Sequence, residues 1–253
     1  MTENVDQTAE RLRCQWLEIP HTYGLAATLE VHRATLDLAT RHPLAESAAV
    51  PLEVAAQVYA RMGLFLAATT MAARAVELRR DLCLDQATAD RLGRHVFALD
   101  LLASIYRARG MTDAITGCLV QLVEMHFTCE NNIGVAWAVR ELGAHALLTG
   151  DLDNAIAKFT RADELYTEYD PDTDPDLSTE RGECRVLLGR ARLAQGDRES
   201  ALLWFKRAAD DFTTAGADAL VLETEALQTA VHSSAEPPPP DQLVIGDFGV
   251  IAW

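Results

Sequence analysis

The segment GDLDNAIAKFTRA at residues 150–162 returns as GDRESALLWFKRA at residues 196–208. In each copy a Gly is followed by Ala five residues on, Phe nine on and Ala twelve on, so that Ala155, Phe159 and Ala162 align with Ala201, Phe205 and Ala208. Leu142-Gly143 and Leu188-Gly189 precede the two turn glycines by the same interval. The pattern describes a helix, a tight turn at Gly-Asp, and a second helix with small residues where the pair approaches closely. One such pair cannot bury its apolar stripe alone, so a chain built this way stacks its pairs side by side.

The turn glycine extends the repeat upstream. Gly63, Gly110, Gly150 and Gly196 lie 47, 40 and 46 residues apart. After Gly63 the same offsets hold Ala68, Ala72 and Ala75, and after Gly110 they hold Ile115, Leu119 and Leu122. Tyr59 and Tyr106 stand four residues before the first two glycines, where Ala146 and Arg192 stand in the last two copies. Ahead of the repeats, residues 5–17 and 24–41 read as two lead-in helices separated by Pro20 and Gly24, the second ending at His42-Pro43. Residues 170–176 form an acidic loop with two X-Pro breaks, and residues 217–232 read as a last, capping helix. The predicted organisation is therefore lead-in helices over 1–47, a solenoid over 48–232, a proline-rich linker over 233–240 and an apolar tail over 241–253.

Charge narrows the partners. A net charge of −16 argues against a general binder of nucleic acid or of an anionic membrane, both of which need clustered Lys and Arg. The polar opening TENVDQTAERLR has no apolar signal core, and no stretch of about 18 apolar residues occurs, so a cytoplasmic protein without a transmembrane helix is expected. The five cysteines are scattered without a CxxC and read as reduced packing thiols. No HExxH, GxSxG, Walker loop or GxGxxG is present, so neither a metal site, a cofactor nor an enzyme is expected. The DFG within residues 246–249 stands without any other kinase element.

The Leu-Gly, Gly, Ala, Phe, Ala spacing resembles the tetratricopeptide repeat family over residues 48–215, strongly in the last two copies and partly in the first two. The family period is about 34 residues; the longer spacing here is similar to its long-helix variants, the kinesin-light-chain type and bacterial peptide-sensing repeats. The resemblance implies an all-α, right-handed superhelical solenoid of about four helix pairs with a concave inner face. It also implies that the first helix of each pair turns inward the positions thirteen, ten, six and three before the glycine. Those are Glu53, Gln57 and Ala60; Phe97, Asp100, Ser104 and Arg107; Trp137, Arg140, Ala144 and Leu147; and Glu183, Val186, Arg190 and Leu193.

Phe97, Arg107, Trp137, Arg140 and Arg190 would make an aromatic, mildly basic groove suited to a peptide carboxylate or acidic side chain. The competing reading pairs these arginines with acids such as Asp100 and Glu141. The Lys and Asn set of the chaperone-binding subclass is not reproduced, so chaperone binding is not expected.

After SSAEPPPP the chain ends in DQLVIGDFGVIAW, whose Leu243, Ile245, Phe248, Ile251 and Trp253 form an apolar docking tail. Tail and linker are loosely similar to the cargo-loading peptides of encapsulin nanocompartments, which would make a shell protein the partner. They also resemble precursors of ribosomal peptide pathways, which would make it a peptide-modifying enzyme. A latch onto the chain's own groove is the third reading. The expected function is a non-enzymatic scaffold or adaptor that binds a protein or peptide. The alternatives are a carrier of a functional C-terminal peptide and a peptide-sensing regulator, although residues 1–45 lack a basic recognition helix.

Overall fold

A computed structural model describes residues 4–22, 24–168 and 175–233. These residues form eleven α-helices and one 3-10 turn, with no strand among them. They fall into two compact units, one up to Met125 and one from His126 onward.

The first unit holds α1 (Val5–Thr22), α2 (Leu25–Arg41), a 3-10 turn (Glu46–Ala48), α3 (Val50–Arg61), α4 (Phe65–Asp85), α5 (Ala89–Ala108) and most of α6 (Thr112–Thr128). α1 runs through Pro20 instead of ending before it. Trp16, fully buried one turn earlier, explains why. Its indole N–H donates to the Thr35 hydroxyl at 2.9 Å, and its ring meets Tyr59 edge-on at 5.0 Å. That anchoring holds the last turn of α1 in place, and a proline so close to a helix end removes only one backbone bond. Leu12, Leu38, Leu52, Met71, Leu78, Leu82 and Leu101 complete the core.

The second unit holds α7 (Asn132–Leu148), α8 (Leu152–Glu168), α9 (Pro175–Ala194), α10 (Arg198–Thr214) and α11 (Asp218–Ser233). Its core is aromatic, with Phe159, Tyr166, Phe205 and Phe212 all sealed from solvent. The small positions are their counterparts. A Cβ on Gly143 of α7 would meet the Phe159 ring of α8 at 2.8 Å, and one on Gly182 of α9 would meet Phe212 of α10 at 2.6 Å. Asp211 of α10 accepts from Arg181 and Arg185 of α9, and Arg185 reaches back to Asp163 of α8 at 2.7 Å. Three successive helices are thereby cross-linked by one buried ionic network.

The turns repeat at the level of single bonds. Gly63, Gly110, Gly150 and Gly196 all adopt positive φ, between 67° and 90°. At each, the glycine N–H donates to the carbonyl three residues back and the next N–H to the carbonyl five back, as in Gly196 to Leu193 and Asp197 to Arg192. Asp151 and Asp197 then cap the following helix, accepting from Asn154 and Ser200. The Gly-Asp pair thus ends one helix and starts the next. Gly216, with φ of 70°, closes α10 by the same two bonds and docks α11 as a further helix on the stack. Between α6 and α7 the left-handed residue is Glu130, at φ 54°.

Candidate functional site

Among the inward positions of the first unit, Gln57 and Ala60 of α3 are half-buried and the most exposed is on α5. Phe97 is 42 % exposed, while Asp100, Ser104 and Arg107 follow it at helical spacing and are half-buried. Glu53 of α3 is not accessible. It is buried and grips Arg79 of α4 by a two-pronged ion pair, at 2.8 and 3.1 Å.

In the second unit the inward positions fall on α7 and α9. Trp137 is half-buried, one turn before Arg140. Arg140 and Arg190 are corrections to the sequence reading, because both are in the interior, 5 % and 3 % exposed. An inward azimuth on a helix says nothing about which neighbour will cover the side chain. Burial pulls the Arg190 guanidinium down to about 10, with Glu223 opposing. Neither arginine presents an open fork to an incoming carboxylate.

Arg140 is occupied by the chain's own acids. Its Nη1 donates to Glu180 at 2.5 Å and to Glu183 at 3.0 Å, both on α9, and its Nη2 to Glu141 at 3.4 Å. Burial works against its charge, and Glu141 and Glu180 lead the groups that outweigh it. Glu183 is pushed up to about 7, mainly by burial, with Arg140 opposing and Glu180 and Glu141 adding to the rise. Tyr166 of α8 lies in the same field; its hydroxyl is sealed from solvent and has no hydrogen-bond partner among the described residues, and burial raises its pKa.

The structure therefore joins Arg140 to Glu183, two of the expected inward positions, and adds Glu180 and Tyr166, which the sequence reading did not select. Glu180 stood one turn before Glu183, a spacing that could have pointed to it. The tail residues Leu243, Ile245, Phe248, Ile251 and Trp253 lie outside the described residues, as do residues 170–174 of the expected acidic loop and 234–240 of the linker, while Pro175 and Asp176 open α9 and Ser233 ends α11.

Among the described residues no group of three or more His, Cys, Asp or Glu is arranged to hold a metal, and no helix is long and apolar enough to cross a membrane. Burial pushes the Cys118 thiol up to about 11 and raises Cys184, so neither is a thiolate at neutral pH.

No family model matches the sequence, and no curated protein does. Solved structures do match in fold. The nearly identical TPR-like repeats of a kinesin light chain from Podosopora anserina are 15% identical, with a TM-score of 0.57 over 83% of this chain and 97% of that one. The apo form of RapI is 12% identical, with a TM-score of 0.62 over 93% of this chain and 80% of the other. YrrB, described as a TPR protein with an unusual peptide-binding site, is 16% identical, with a TM-score of 0.52 over 88% and 94%. At these identities the likeness is one of fold: this chain has a tetratricopeptide-type helical repeat fold.

Proposed function

We propose that this chain is a non-enzymatic scaffold that binds a protein or peptide segment on the inward helices of its repeats. The observation that carries the reading is the pair of accessible aromatics at equivalent repeat positions, Phe97 on α5 and Trp137 on α7, on a tetratricopeptide-type fold. Each stands thirteen residues before its turn glycine. Aromatic anchors of this kind supply rigid contact area at small entropic cost, and a helical surface that keeps them partly in water has a use for them outside the core. YrrB, of similar fold, carries a peptide-binding site, which supports the same reading here.

The apolar tail at 241–253, set beyond four prolines, supports a second contact: a tethered docking peptide for another protein, such as a shell protein or a peptide-modifying enzyme. The acidic composition favours a protein or peptide partner over nucleic acid or an anionic membrane, and the scattered cysteines without a CxxC support a cytoplasmic setting.

The test is selection of random dodecamer peptides on the immobilised full-length chain. Convergence on a consensus whose affinity drops about tenfold or more in Phe97→Ala or Trp137→Ala supports the scaffold reading. Absence of convergence, or a consensus indifferent to both substitutions, overturns it. A synthetic peptide of residues 241–253 bound to a shell protein or modifying enzyme would support the docking tail, and full activity of that partner on a chain ended at Ser233 would overturn it.

A further inference from the structure

The four turn glycines let each copy of the repeat serve as a control for the others. Around Gly63 the positions one before, one after and three after the glycine hold Met62, Leu64 and Leu66. The fourth copy holds Gln195, Asp197 and Glu199 there, and the third holds Thr149, Asp151 and Asp153. The second copy keeps one apolar residue, Met111, between Arg109 and Asp113. All four turns share one backbone geometry, so nothing in it asks for apolar side chains at the first. Met62, Leu64 and Leu66 are nevertheless 46 %, 48 % and 73 % exposed. Leu64 also stands at the N-cap of α4 with no side-chain acceptor to offer, where Asp151 and Asp197 cap their helices. The first turn thus forgoes a cap and favourable solvation together, as a surface that is covered would.

One charge lies beside this patch. Arg109, exposed at the second turn, donates from Nη1 to the Thr69 hydroxyl of α4 at 3.0 Å, one helical turn beyond Leu66. Among the described residues that neutral hydroxyl is its side-chain partner, and no carboxylate meets its charge.

The patch is too small to hold a separate molecule. Three side chains offer roughly a few hundred Å², whereas a stable complex between free proteins buries ~1,200–2,000 Å² in all. A tether removes that requirement, because it raises the local concentration of the bound segment to about millimolar. The chain carries such a segment. The twenty residues after Ser233 span up to about 66 Å when extended. The last thirteen of them, DQLVIGDFGVIAW, are mostly apolar, with two aspartates and no cation, the complement of Arg109. A second copy of the turn would instead set arginine against arginine.

We propose that residues 241–253 dock on the α3–α4 turn of their own chain, their apolar side chains against Met62, Leu64 and Leu66 and an aspartate on Arg109. This surface is not the groove that the sequence offered for a latch. The inference goes beyond the scaffold reading: a protein that takes the tail has first to displace it from this turn, so docking sets a threshold for recruitment.

Hydrogen–deuterium exchange of the full-length chain, read by mass spectrometry over residues 241–253, is compared with a synthetic peptide of the same sequence. The tail in the chain should exchange about tenfold more slowly than the free peptide, at a rate independent of protein concentration. Met62→Gln/Leu64→Asp/Leu66→Glu installs the residues of the fourth copy, including a helix cap. It should return exchange to the free-peptide rate with helicity unchanged. Leu66→Glu alone, at the most exposed position, and Arg109→Gln should each reduce protection severalfold. Exchange at the free-peptide rate in the wild-type chain, or protection that survives the triple substitution, overturns the proposal. Protection that grows with protein concentration overturns it as well, because the tail then comes from a second copy. If the triple variant loses helicity, Leu66→Glu decides alone, and undiminished protection overturns the proposal. The scaffold reading is tested separately through Phe97 and Trp137, so failure here leaves it standing.

Discussion

Gly189 of α9 and Phe205 of α10 occupy one another's space: a Cβ on the glycine would stand 2.6 Å from Cε1 of the ring and 3.2 Å from the Ala201 carbonyl oxygen. Phe205 is fully buried, so the ring has nowhere to go. Gly189→Ala should therefore destabilise the chain by about 1–3 kcal/mol, despite the better helix propensity of alanine. Gly93→Ala on α5, where nothing lies within 4 Å, should instead stabilise by about 0.5–1 kcal/mol. Urea denaturation of the two variants checks the contrast, and stabilisation by Gly189→Ala would refute the close-packing account.

Glu130 does a glycine's work. It closes α6 at φ 54° with the same pair of backbone bonds that the turn glycines make, to Phe127 and His126. A residue with a Cβ in this region is strained by about 1–2 kcal/mol. Glu130→Gly should raise stability by about 0.5–1 kcal/mol after the greater freedom of glycine in the unfolded chain is subtracted. Thermal unfolding of the variant should show a higher Tm, and an unchanged or lower one would mean that the Glu130 side chain contributes more than the strain.

These two sites also mark how far the sequence could be read. The glycine turns were legible because only a residue without Cβ takes that backbone conformation readily, and Gly-Asp joins a helix stop to a helix start. The partner of Gly189 was legible too, since the offset from Gly189 to Phe205 is that from Gly143 to Phe159. Glu130 was not, because its identity argues against its conformation. Gly216 closes α10 outside the spacing that anchored the other turns. Pro20 misled because local propensity was overridden by the burial of Trp16. At the candidate site the azimuths of Arg140 and Glu183 were readable, but their burial was not. Whether a charge faces water depends on the neighbouring helix, and a single helix pattern carries no information about that.

The raised pKa of Glu183 sets the sign of a pH effect. In the folded chain it titrates at about 7, against an ordinary value of 4.5. Between those values the folded state binds the extra proton, so stability falls as pH rises through the window. The charged groups that act on it are Arg140 and Glu141 on α7 and Glu180 on its own helix. Glu183→Gln removes the titration. The stability difference between variant and wild type should therefore widen in the variant's favour from pH 5 to about pH 7. Chemical denaturation across that range reads it directly. A difference that stays flat would place the Glu183 carboxyl at its ordinary value.

The Glu53–Arg79 pair in the first unit offers the complementary case of a buried charge fully matched. Arg79 is 1 % exposed, and its Nε and Nη2 meet both Glu53 oxygens while Nη1 lies 3.4 Å from the Glu46 carbonyl. Removing one partner strands the other in the core, so Glu53→Met or Arg79→Met alone should destabilise by about 3–5 kcal/mol. Removing both replaces an expensive desolvation with apolar packing, so Glu53→Met/Arg79→Met should lie within about 2 kcal/mol of wild type. The double-mutant cycle therefore predicts a coupling of several kcal/mol, far above the ~0.2–1 kcal/mol of exposed pairs such as Arg161–Glu164. Additive single losses would show instead that water or rearrangement relieves the stranded charge, and that this pair specifies nothing about how α3 sits on α4.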